Sequence, residues 1–220
     1  MGVLLSAVAV RSADADEVVD VFLSMMRGIG HRREPVVGPD RSNPHGDPND
    51  VLCSASATGW VTLVLHYVVP PEKLAIELTR RLGTVSSAVQ VYEDVLWMHH
   101  LVDAGAELDR FVNLPAYFGP GEFDDSWIGD AALVARTLGI DPTEVAPYFR
   151  QVALPRSRDR WRRPPKAHAE DEYDLLNGWV VTELWGRMGI TWPAAAATST
   201  IRVPLGSDGT DALSAWLRSF

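Results

Sequence analysis

Between residues 51 and 114 the apolar positions recur mostly at every second residue, and one stretch of helical spacing interrupts them. Val61, Leu63, Leu65, Tyr67 and Val69 form a single apolar face, which a sheet packed on a core buries best. The pattern predicts strands over 51–57 and 60–69, joined by a tight turn at Thr58-Gly59. Pro70-Pro71 ends the second strand, and Pro71 suits the first position of a helix over 71–82. That helix offers Leu74, Ile76, Leu78 and Leu82 to the core, with Gly83 as its C-cap. Three strands follow over 86–93, 95–103 and 106–113, the last two turned by Ala104-Gly105. Upstream, a strand over 3–10 leads to a helix opened by Asp14 or Asp16 and ended by Gly28 or Gly30. Its stripe is Val18, Val19, Phe22, Leu23 and Met26. Residues 31–50 carry no period and read as a long loop.

This order implies an α+β fold: an antiparallel or mixed sheet of five to six strands, helices on one face, and a C-terminal helical extension. Beyond the strands, 115–127 is loop-like, with Gly119, Gly121 and several aromatics. Helices are expected at 129–139 and 142–152, the second poorly capped by Thr143 and kept short by Pro142 and Pro147. A longer one is expected at 170–189, with an acidic first turn and Leu175, Leu176, Trp179, Val180 and Leu184 inward. Residues 1–193 read as one domain, with a sheet core over 1–114 and a helical part over 115–193. A small-residue linker over 194–200 then precedes a strand near Ile201, Val203 and Leu205 and a short helix over 210–219. The strand and helix together can dock on the chain's own sheet, or on a second copy as a homodimer.

A composition of 46% hydrophobic and 22% charged residues is that of a globular protein. The net charge of −9 disfavours nucleic acid and an anionic membrane as partners of the whole surface, and suits a basic protein. The charge is uneven. Between 156 and 166 six cations stand against Asp159, a local +5 that leaves −14 on the rest. Cys53 is the only cysteine, in a strand-like setting, so it reads as a packed thiol in a reducing compartment. The apolar run Leu4 to Val10 has no cationic n-region and reads as a buried strand rather than a signal sequence. No stretch is long enough for a transmembrane helix, and a cytoplasmic location is expected. Arg outnumbers Lys 18 to 2, a coding bias that points to a bacterium with GC-rich DNA.

Candidate chemistry is sparse. His66 shares a strand face with Trp60, Thr62 and Val64, while His99 and His100 sit on opposite faces of a later strand. Cross-strand neighbours would bring two histidines within reach of a metal, with Glu93, Asp94 or Asp103 adding a carboxylate. Against that stands the plain alternative of sheet histidines with one hydrogen bond each, since no H-x-E, H-x-H or HExxH spacing occurs. No metal or cofactor is expected. The segment with Arg158, Arg160, Trp161 and Arg162 has the cation-plus-ring make-up of a phosphate or single-strand contact. It also reads as an exposed loop clasped to the acidic run Glu170-Asp171-Glu172. Asp124-Asp125 with Glu122 offers a loop cation site or a solvated loop. Gly119-Pro120-Gly121 lacks the context of a dinucleotide site, and neither a phosphate loop nor a G-x-S-x-G elbow exists.

The stretches Gly59-Trp60, 78–83, 92–96, Gly105 and 113–119 (Asn113-Leu114-Pro115-Ala116-Tyr117-Phe118-Gly119) resemble a type of uncharacterised bacterial α/β protein, some members of which look immunity-like or accessory. The resemblance rests on structural residues, so it implies no site residue. The expectation is a non-enzymatic protein-binding module, immunity-like or regulatory. Its alternatives are a small-molecule binder or unrecognised enzyme using an open sheet face around Trp60, His66, Trp97 and His99, and a nucleic-acid binder using the Arg segment.

Overall fold

A computed structural model describes residues 4–12, 14–25, 34–35, 50–65, 69–154, 164–193 and 201–204. Among them the strands β1 (Leu5–Arg11), β2 (Glu34–Pro35), β3 (Asp50–Ala55), β4 (Trp60–Leu65), β5 (Val85–Tyr92), β6 (Leu96–Asp103), β7 (Ala106–Val112) and β8 (Ile201–Pro204) form one sheet. Its order is β2-β8-β3-β4-β1-β5-β6-β7, and every pairing is antiparallel. Six of these strands are the ones expected upstream of residue 114. The short β2 and β8 extend the sheet beyond β3. The C-terminal strand thus lies in its own sheet, with Ile201 opposite Cys53 and Val203 opposite Val51.

Alternation along the strands divides the core in two. Val8, Val10, Val61, Leu63 and Ala88 face α1 (Ala15–Met25) and α2 (Pro71–Leu82), meeting Val18, Phe22, Leu74 and Leu78. Ala7, Ala9, Val89, Trp97, Leu101 and Phe111 face the other way, toward α3 (Ala131–Leu138), α4 (Pro142–Val145) and α5 (Val180–Arg187). The helical part beyond residue 114 therefore roofs the second face of the sheet. β4 is buried along its whole length, because both of its faces are covered.

Local chemistry explains the element ends. The Asp14 carboxylate accepts from the amides of Asp16 and Glu17 and caps α1 (2.9 and 3.2 Å). Gly83 closes α2 in the left-handed conformation, its amide bonded to the Thr79 carbonyl. Asp141, rather than Thr143, caps α4, accepting from the Thr143 amide at 2.8 Å.

The helix expected over 170–189 forms only from Val180. Upstream, the amides take other partners: Leu175 donates to the Pro165 carbonyl, Leu176 to Asp174, Trp179 to Asn177, and Glu172 and Tyr173 to Glu183. The Gly178 amide donates to the carbonyl of Asp94, in the β5–β6 turn where Glu93 and Asp94 both have positive φ (51° and 64°). A Cβ on Gly178 would stand 2.3 Å from Val91 Cγ1. Only glycine allows the chain to approach the sheet so closely.

Candidate functional site

The second sheet face is closed. Trp97 and His99 are 0% exposed and Trp60 is 2% exposed, under a layer that includes Val134, Leu138, Leu184 and Trp185. The open face expected around these residues is a packed core. Helix α5 brings Trp185 to the strand pair: its Nε1 donates to Ser87 Oγ at 2.9 Å, and His99 Nε2 lies 2.9 Å from the same oxygen. The best-satisfied assignment puts the proton on Nε2, so that Ser87 accepts from both rings and turns its own hydrogen to Met188 Sδ at 3.9 Å. His99 Nδ1 has no partner, and the ring packs edge-on to Phe149 at 5.5 Å. Burial, and then the neighbouring His100, lower the His99 pKa to about 3, so the ring stays neutral. This Ser–His–Trp trio has hydrogen-bond geometry but no surface, and it knits α5 to β5 and β6.

His66 lies outside the described residues. Its strand neighbour β4 is separated from β6 by β1 and β5, so no cross-strand pair forms between β4 and His99 or His100. No cluster of three or more His, Cys, Asp or Glu that could hold a metal occurs among the described residues. Arg158, Arg160, Trp161 and Arg162 also lie outside them. At the end of the basic segment Lys166 Nζ donates to the Asp171 carbonyl, and Arg187 on α5 bonds Glu144 (2.9 Å), Glu170 (2.8 Å) and Asp171 (3.3 Å). Tyr148 Oη and the His168 amide donate to the other Asp171 oxygen, each at 2.9 Å. This clasp fixes residues 164–173 onto α4 and α5.

The described surface carries its distinctive feature on the other side, where the loop after β7 crosses β5, β6 and β7. Tyr92, Tyr117, Phe118, Phe123 and Trp127 stand in series, with ring centroids 4.9–6.4 Å apart and mostly edge to face. Leu96, Val112 and Leu114 lie beneath them. Phe118 is nevertheless 54% exposed, and Ile128, which follows Trp127 in the chain, is 52% exposed.

The backbone of this loop is pinned. Asp124 caps the turn of Asp125–Trp127, accepting from the Ser126 amide (3.0 Å) and hydroxyl, and these bonds hold its carboxyl below the usual range. The pair once readable as a cation site thus spends Asp124 on its own backbone. Tyr117 Oη donates to Glu93 at 2.6 Å, and that carboxylate pushes the phenol up to about 12. Trp127 is seated between His100, edge-on at 5.3 Å, and the guanidinium of Arg110 at 5.1 Å above its ring. His100 Nδ1 pairs with Glu107 at 2.6 Å, and Arg110 donates to Ser126 Oγ.

The neighbouring sheet edge is guarded. Leu108 is the extra residue of a bulge opposite Leu101 and Val102, Phe111 bridges to Ile128, and Asp109 accepts from the Asp130 amide at 2.8 Å.

None of these ring residues was a candidate in the sequence. The legible signal was four rings between 117 and 127, in a segment of Gly, Pro and acids with no apolar period to bury them. Comparison with protein-family models, with characterised proteins and with solved structures gives no match.

Proposed function

We propose that this chain is a non-enzymatic protein-binding module, immunity-like or regulatory, which docks a protein partner on the aromatic loop over 115–128. The observation that carries this reading is the exposure of Phe118 and Ile128 on a loop held by capping and ring contacts. Leaving a Phe and an Ile half open forgoes about half of the roughly 1.5–3 kcal/mol that full burial of each side chain contributes. A rigid row of rings presents that area at little entropic cost, as interface anchors do. The described histidines of β6 support the same reading, since His99 is sealed in the core and His100 is committed to Glu107 and Trp127.

A photoreactive phenylalanine analogue at position 118 of the full chain, expressed in its native host, tests this. The expected result is one crosslinked protein that, once purified, binds the unmodified chain. Phe118→Ala should weaken that complex at least about tenfold, the effect of a contact worth about 1.4 kcal/mol. A probe at Arg136, exposed on α3, should capture nothing. A crosslinked protein that binds Phe118→Ala as tightly as the unmodified chain would refute the reading.

A further inference from the structure

We infer that the segment docking on this loop is cationic and offers arginine side chains to the rings, an inference that rests on the docking reading above. The fold already holds one example of the recognition. The guanidinium of Arg110 lies 5.1 Å over Trp127, donates to Ser126 Oγ, and has Glu107 at 3.9 Å behind it. A planar cation on a ring face, with a hydroxyl and a carboxylate at its rim, is the arrangement that favours arginine over lysine.

The rest of the row repeats these ingredients without the cation. Among the described residues, guanidinium groups lie over Trp60 and Trp127 and over no ring of Tyr92, Tyr117, Phe118 or Phe123. Between 115 and 130 the chain has four carboxylates, Glu122, Asp124, Asp125 and Asp130, and no Lys or Arg. All four are exposed, and Glu93 stands beside Tyr117. A partner entering this field is steered by positive charge, and on contact it gains ring faces that neutral side chains use less well. The same field repels anionic lipid and nucleic-acid backbone, which commits the surface to a basic protein segment.

Short synthetic peptides of one length and one apolar content test this, their variable positions being all Arg, all Lys, all Gln or all Glu. Binding to the full chain is followed by fluorescence anisotropy at low and moderate salt. The Arg peptide should bind most tightly, Lys less, Gln weakly and Glu least, and added salt should weaken the Arg complex. Glu122→Lys with Asp125→Lys should weaken the Arg peptide several-fold, and Phe118→Ala should weaken it about tenfold. A Gln peptide that binds as tightly as the Arg peptide, yet is lost in Phe118→Ala, would overturn the cationic chemistry and leave the docking loop standing. An Arg peptide indifferent to Phe118→Ala, or no binding by any peptide, would overturn the inference at this site. The crosslinking at position 118 judges the docking reading by itself.

Discussion

Replacing Asn113 by leucine removes a bolt at the centre of the molecule. Asn113 is fully buried at the end of β7. Its Oδ1 accepts from the Trp97 amide at 2.9 Å, and its Nδ2 donates to the carbonyls of Val95 (2.8 Å) and Leu175 (2.9 Å). Leucine has nearly the same shape, so the loss is in polar pairing. The Trp97 amide becomes a buried orphan, which costs about 1–3 kcal/mol. The Leu175 carbonyl keeps Trp97 Nε1 at 3.2 Å, so the two carbonyls together add only about 1 kcal/mol. The sum is about 2–4 kcal/mol, a fall in Tm of roughly 5–15 °C for a chain of this length. Urea unfolding followed by tryptophan fluorescence measures it as a lower midpoint at unchanged m-value.

Asn113→Asp sharpens the test. The carboxylate would face two carbonyls in a buried site, so its folded pKa rises above its unfolded one. Its deficit against the unmodified chain should then be full at neutral pH and should shrink as the pH falls toward the unfolded carboxyl pKa, where a protonated carboxyl donates to one carbonyl. An Asn113→Leu variant within 0.5 kcal/mol of the unmodified chain (about the size of a surface substitution), or an Asp deficit independent of pH, would refute the reasoning.

Three further outcomes follow from the structure. His99, with its pKa lowered to about 3, takes up its proton on unfolding, so stability is full above the unfolded histidine pKa near 6.5 and falls as the pH drops from there. The slope from this residue is up to about 1.4 kcal/mol per pH unit, and His99→Phe should flatten it in acid-denaturation curves even if it lowers stability overall. Gly178→Ala forces its Cβ onto Val91 Cγ1 and should cost about 1–3 kcal/mol in the same urea assay, whereas no loss would mean that the 170–179 segment shifts freely. Truncation after Pro193 removes β8, strips β3 of its outer partner and leaves β2 without the strand it pairs with; Tm should fall, and an unchanged melt would make β8 dispensable.

The central architecture was legible because it rests on short-range rules. Pro71 and Gly83 bracket α2, Ala104-Gly105 turns β6 into β7, and period-2 runs mark β4 to β7. Where reading failed, distant partners decided. Leu175, Leu176, Trp179, Val180 and Leu184 have helical spacing, yet Asp94, Pro165 and Glu183 take the amides of the first turns and leave only α5 helical. His99 and Trp97 looked like an open face because nothing local says that α3 and α5 will roof it. The aromatic loop was missed for the opposite reason. Its rings have no secondary-structure period, and their alignment depends on pins as distant as His100, Arg110 and Glu93.

The place of β1 has a consequence for synthesis. This strand leaves the ribosome before either of its neighbours, for it sits inside the sheet between β4 and β5 and reaches neither until Trp60 and then Val85 have been made. Its run of six apolar and small residues, Leu5 to Val10, is buried in the finished protein but has both edges unpaired throughout that interval. The nascent chain therefore carries an adhesive strand until β5 has been made. Holding that strand apart from other chains, until the β5–β6 hairpin emerges to close it in, is the step at which a trigger-type chaperone or slowed elongation would most improve the yield of folded protein.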